Sequence, residues 1–185
     1  MSKYFHQSAH VDTFPFEHLP PPEQWPELLF DLPELQYPER LNCATAFLED
    51  IAALGFADKV AIRSASATWT YAELCARVNQ IAHVLVDDMH LVPGNRVLLR
   101  GANNPMMAAC ILAVWKVGGV AVPTMPLLRA KELSVIIEKA QISAALCSSA
   151  LQEELDAAQK LSPVLQQIKI FNTDVVGSVD QLMTT

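Results

Sequence analysis

The sequence predicts an α/β fold: a mostly parallel sheet with helices on both faces, a small antiparallel hairpin and an extended Pro-rich N-terminal arm. Three observations carry this. Short uninterrupted apolar runs (Val97 to Leu99, Val120 to Val122, Ala144 to Cys147, Ile168 to Phe171) read as strands buried on both sides. Segments of helical period, about ten residues each, separate them, as a layered parallel sheet requires. Before residue 41, Pro15, Pro20, Pro21, Pro22, Pro26, Pro33 and Pro38 exclude a long helix or a central strand.

Residues 1–41 therefore form the arm. Phe14, Phe16, Trp25, Leu28, Leu29, Phe30, Leu35 and Tyr37 lie between the prolines. So many large apolar groups are rare in disordered linkers, and the expectation is an arm that packs on the body and buries its aromatics there. A polyproline ligand for a partner domain is the alternative.

The body runs from residue 42 to 172. Asn42 is placed to cap a helix whose apolar stripe is Cys43, Phe47, Ile51 and Leu54, with Gly55 as its stop. Lys59 to Arg63 and Ala67 to Trp69 form the hairpin around Ser64-Ala65-Ser66. Thr70 and Glu73 have capping-box spacing before a helix that buries Leu74, Val78, Ile81, Ala82 and Leu85. After Pro93-Gly94 comes the strand Arg96 to Arg100, then a helix opened by Asn104-Pro105 and ended by Gly118. That helix is apolar almost all round and should be the most buried. Val120 to Val122, a helix over Lys131 to Ala140, Ala144 to Cys147, a helix over Leu151 to Leu161, and Ile168 to Phe171 complete the alternation. Residues 173–185 show no clear period and read as a tail.

The totals exclude several functions. With 51% hydrophobic and 18% charged residues, the 185-residue chain is globular in composition. A net charge of -7 and the lack of a basic stripe argue against a nucleic-acid partner. Lys116 and Gly118-Gly119 break the longest apolar stretch short of the ~20 residues a membrane span needs, so no membrane segment is expected. No basic start runs into an apolar stretch, and the cysteines Cys43, Cys75, Cys110 and Cys147 form no CxxC pair. Structural thiols in a cytoplasmic protein are expected.

Two segments carry the most information: Trp69-Thr70-Tyr71-Ala72-Glu73-Leu74 and Trp115-Lys116-Val117-Gly118-Gly119-Val120-Ala121-Val122-Pro123. Each has a local explanation in capping and tight turns. In order and spacing, around Val92-Pro93-Gly94-Asn95-Arg96-Val97, they resemble the first two signature motifs of adenylate-forming acyl- and aryl-CoA ligases. Val117 stands where that family usually has Ala. The resemblance covers about Asn42 to Phe171 and is nearest the 2-aminobenzoate- and benzoate-CoA ligases; Leu19-Pro20-Pro21 with Leu35 to Asn42 is similar to the start of 2-aminobenzoate-CoA ligases.

The resemblance implies an ATP-dependent ligase that converts an aromatic carboxylic acid to an acyl-adenylate and then to a coenzyme A thioester. ATP, magnesium and coenzyme A are expected for the full-length enzyme and none for this chain alone. The family's phosphate loop is rich in Ser, Thr and Gly and ends near a Lys; none of the six glycines here lies in such a cluster. The chain is thus expected to be the N-terminal segment of the enzyme, inactive alone, with the remainder of the ligase as its partner. Apolar surface left for that remainder would favour a homo-oligomer.

Candidate contact residues are few. Arg129 and Lys131 begin a helix, where cations and free N–H groups favour an anion. Some aryl-CoA ligases hold a coenzyme A phosphate with an Arg in this loop, although the matching position is nearer Leu127. A solvated loop cation is the reading its position favours. Asn103 and Asn104 follow a strand at the ligand-binding end of a parallel sheet, but helix capping explains Asn104 without a ligand and is the preferred reading. His6 and His10 have helical metal-pair spacing without a third ligand, His83 lies off its helix's apolar face, and Cys110 has no adjacent base. Glu153, Glu154 and Asp156 read as a solvated helix face.

A free-standing, non-catalytic binding domain with a ligase-like shell remains the rival. An unrelated dinucleotide-binding domain is weaker, since Arg100-Gly101-Ala102-Asn103 offers one of three required glycines.

Overall fold

A computed structural model describes residues 9–27 and 29–184. Its centre is a four-stranded parallel sheet in the order β4-β3-β5-β6, with β3 Arg96–Arg100, β4 Val120–Thr124, β5 Ala144–Ser148 and β6 Gln167–Phe171. A separate antiparallel hairpin pairs β1 Val60–Arg63 with β2 Thr68–Thr70. Among the described residues seven α-helices accompany them: α1 Phe14–Glu17, α2 Cys43–Ile51, α3 Tyr71–His83, α4 Pro105–Lys116, α5 Ala130–Ala140, α6 Gln152–Leu161 and α7 Val179–Leu182. Within the same residues no helix is long and apolar enough to cross a membrane.

The apolar strand runs divide between two cores because successive side chains point to opposite faces. Val97, Leu99, Ala144 and Leu146 meet α3 and α4 on one face. Leu98, Ala145 and Cys147 meet Leu133 and Ile137 of α5 and Leu155 and Ala158 of α6 on the other. A continuous apolar run is thus two alternating patterns superimposed.

Local chemistry sets the helix starts. The Thr70 hydroxyl accepts from the Glu73 N–H at 3.2 Å while the Glu73 carboxylate accepts from the Thr70 N–H at 2.8 Å, a closed capping box. Leu74, Val78, Ile81, Ala82 and Leu85 are buried as their spacing predicts. On α4, the Asn104 side chain accepts from the Met107 N–H at 2.9 Å and Pro105 occupies the first position.

Three expectations need correction or extension. In α2 the buried residues are Ala44 and Leu48, one position round from the expected stripe, and Phe47 and Leu54 are exposed. Helix α2 carries two competing apolar stripes, and contacts outside it choose between them. The Asn42 amide donates to the Trp115 and Lys116 carbonyls, Lys116 pairs with Glu49, and small Ala44 lets α2 approach α4.

In the arm, Phe16, Leu19, Leu29 and Tyr37 are exposed rather than buried. The turns between prolines let several groups find near neighbours. Phe14 stacks on His18, the Trp25 indole donates to Pro20, and Phe30 meets Tyr37 edge-on at 5.9 Å. Leu28 lies outside the described residues.

Beyond Asn172, Val179 and Met183 of the α7 segment are buried with Phe171 in the first core. One short turn of helix is too little for a period to show in sequence.

Candidate functional site

Two turns join the N-terminal ends of β3 and β4. The Gly94 N–H donates to the Gly118 carbonyl and the Val120 N–H to the Asn95 carbonyl, both at 2.8 Å. This locks the register in which Arg96 faces Val120. Gly118 adopts φ 73°, and a Cβ there would stand 3.0 Å from Pro93; at Gly119 it would stand 3.0 Å from a Val114 methyl. The paired glycines serve helix–strand packing and form no phosphate cradle.

At the opposite, C-terminal ends of the strands, where open parallel sheets place ligands, Arg100 closes β3 with only 1% of its surface exposed. Its guanidinium donates to four carbonyls: Leu151 and Met125 at 3.2 Å, Pro126 at 3.1 Å and Leu128 at 2.8 Å. Thr124 donates to the Leu99 carbonyl beside it. A cavity of about 260 Å³ lies between Arg100, the 126–129 loop and Ala150, Leu151, Glu153 and Glu154.

Arg129 and Glu154 rim that cavity and are paired at 2.7 Å, with the Arg129 side chain 77% exposed. The hydrogen bond from Arg129 holds the Glu154 carboxyl below its ordinary value, helped by the Ala130 N–H, and raises Arg129 in turn. Glu154 accepts from the Ala130 N–H and Glu132 from the Arg129 N–H, each at 2.8 Å. Two carboxylates thus sit on the first N–H groups of α5. Glu154 is engaged rather than merely solvated, which its sequence position beside Glu153 and Asp156 did not show. Lys131 is exposed on the first turn of α5.

Asn103 and Asn104 line a second cavity, of about 330 Å³, with Ile62 to Ser64 of the hairpin and the start of α4. Asn104 caps α4, and Asn103 is exposed. A larger cavity, about 620 Å³, lies at the opposite edge between the arm and Lys116 to Gly119. It faces the strand ends that open parallel sheets do not use for ligands.

The other candidates separate. His6 lies outside the described residues, and His10 packs where a Gly94 Cβ would be. His83 stands 3.4 Å from Asp87 on the surface. Burial raises the Cys110 thiol and pushes Cys147 up to about 12, leaving both poor nucleophiles near neutral pH. Among the described residues no three His, Cys, Asp or Glu side chains are grouped to hold a metal.

Sequence reasoning missed Arg100 and the pairing of Arg96 with Asp12. The available signal was an Arg at each end of a strand whose apolar run demands burial on both faces.

A model of the AMP-binding enzyme family matches residues 50–182, most of the chain. The chain belongs to the AMP-binding enzyme family. A plipastatin synthase of Bacillus subtilis is 31% identical over 123 residues, 66% of this chain and 5% of that protein. Among solved structures, the anthranilate CoA ligase AuaEII in complex with anthranoyl-AMP superposes with a TM-score of 0.68 at 17% identity, covering 76% of this chain and 27% of that one. A benzoate CoA ligase from Burkholderia xenovorans LB400 gives 0.69 at 19%, covering 79% and 29%. The ligase likenesses establish the fold. This chain spans less than a third of either solved ligase and a far smaller part of the synthase. Within the family fold, the Thr70 capping box starts α3, while the two glycine turns set the β3–β4 register.

Proposed function

We propose that this chain is the N-terminal segment of an ATP-dependent aryl-CoA ligase acting on an aromatic carboxylic acid. The likeness of Leu19-Pro20-Pro21 and Leu35 to Asn42 to the start of 2-aminobenzoate-CoA ligases carries the aryl assignment. The fold shared with an anthranilate and a benzoate CoA ligase accords with it. The segment supplies part of the sheet and its C-terminal edge, while activation of the acid belongs to other parts of the enzyme. Alone it should form no adenylate, a reading supported by glycines that serve turns and packing.

Within that edge, Arg129 is the residue assigned to a coenzyme A phosphate, with Lys131 adding charge two residues along. The arriving phosphate would take Arg129 from Glu154, exchanging one anion for another at the start of α5. Arg129→Glu in the complete enzyme should raise the KM for coenzyme A and leave that for the acid unchanged; no change in either ends this assignment.

The sequence relationship to a plipastatin synthase supports a second reading, activation of an amino acid without coenzyme A. Pyrophosphate exchange by the complete enzyme decides between them when run with aryl acids and with amino acids. Aryl-dependent exchange with thioester formation is expected. Exchange with amino acids only would replace the aryl-CoA assignment, and pyrophosphate release by the 185-residue chain alone would overturn its inactivity.

A further inference from the structure

Arg100 is the buried group that this function leaves unused. Its four hydrogen bonds all end on backbone carbonyls. A cation stripped of water and compensated by carbonyl dipoles is costlier to bury than Met or Leu of similar size. Core packing alone does not account for it.

The carbonyls it holds identify its task. Three belong to Met125, Pro126 and Leu128, in a loop whose own backbone closure is a bond from the Leu128 N–H to Met125. Met125 is 62% exposed and Leu127 80%, so apolar burial of those two side chains does not anchor the loop. The fourth bond, to Leu151, ties the same guanidinium to the start of α6, two residues before Glu153 and three before Glu154. One planar fork thereby spaces the two segments that carry Arg129 and Glu154. A Lys in its place would bring one compact head instead of a spread of donors.

We propose that Arg100 is a positioning residue, holding the 125–129 loop against α6 and so setting where Arg129 stands at the C-terminal edge. Its consequence for coenzyme A rests on the assignment of Arg129 above, whereas its hold on the loop does not.

The experiment is amide exchange and steady-state kinetics on the complete enzyme, comparing wild type, Arg100→Lys and Arg129→Glu. In Arg100→Lys, exchange at the Leu128 and Ala130 amides should rise about tenfold with β3 and β5 protection retained. The KM for coenzyme A should rise while that for the acid holds. Unchanged loop exchange overturns the inference, whatever the kinetics. A loosened loop with no change in the coenzyme A KM overturns the placement of Arg129 by Arg100, provided Arg129→Glu does raise that KM. If Arg129→Glu is also silent, the coenzyme assignment fails instead and loop exchange alone judges Arg100. Should Arg100→Lys not fold, the wild-type protein still tests the hold. Its Leu128 amide should exchange slowly despite the exposed loop, and rapid exchange there refutes the inference.

Discussion

Strand β3 begins on Arg96 and ends on Arg100, and both side chains are withdrawn from water. At the first end the guanidinium pairs with the Asp12 carboxylate and donates to the Gly94, Ala140 and Gln141 carbonyls, with the Phe14 ring lying 4.6 Å away. At the second end the four hydrogen bonds all go to carbonyls. Arg96 is an ion pair that fastens the arm to the body. Arg100 is a clamp on loops that belong to the body already. The difference teaches that a buried Arg is defined by what it joins: one can be released by acid, the other has no titrating partner among its bonds.

The largest expected effect lies at the second end. Arg100→Met strands carbonyls that have lost their donors and should cost about 3 kcal/mol, read from urea unfolding. If the loss is under a third of that, the two ends of β3 do not differ as described.

Next comes the seat of the arm. Gly94 adopts φ 94°, and a Cβ there would stand 2.1 Å from the Asp12 carbonyl oxygen. Gly94→Ala should destabilise by about 2 kcal/mol and abolish exchange protection at the Val11 and Asp12 amides, both bonded to the Pro93 carbonyl. Protected amides in that variant would show that the arm is held elsewhere.

Asp12→Asn should cost less, about 1 kcal/mol near neutral pH, because the Phe14 N–H and the Asn95 amide also reach Asp12. Burial raises the Asp12 carboxyl, but the bonds from Arg96, Phe14 and Asn95 outweigh it and hold the group below its ordinary 3.8. A lowered folded value means stability present above the unfolded value and lost as pH falls through the folded one. Wild type should therefore lose its advantage over the variant below about pH 4, whereas Arg100→Met should keep its deficit at every pH. Equal acid sensitivity at both ends would erase the distinction. The smallest effect is at the rim: Glu154→Gln, which weakens a pair whose Arg129 side chain is exposed, should leave the unfolding midpoint almost unmoved.

The capping signals at Thr70 and Asn104 and the strand runs were legible because each depends on residues within a few positions. The stripe of α2 was not, since Cys43-Phe47-Ile51 and Ala44-Leu48 are both helical stripes and packing against α3 and α4 selects the second. The fate of the arm's aromatics was likewise hidden, because turns between prolines let half-buried rings meet exposed ones. At the candidate site, Arg129 was legible as a helix-start cation, but its partner Glu154 lies 25 residues away.

By itself the sequence determined the order of elements from α2 to β6, the caps at Asn42, Thr70 and Asn104, and the family pattern, all set by backbone chemistry over one or two turns. Only the tertiary structure decided what the charged residues do. Asp12 and Arg96 are 84 positions apart, and Arg100 reaches Leu151 across 51. Such groups become partners once a sheet has brought its strand ends together, and no local periodicity records that meeting.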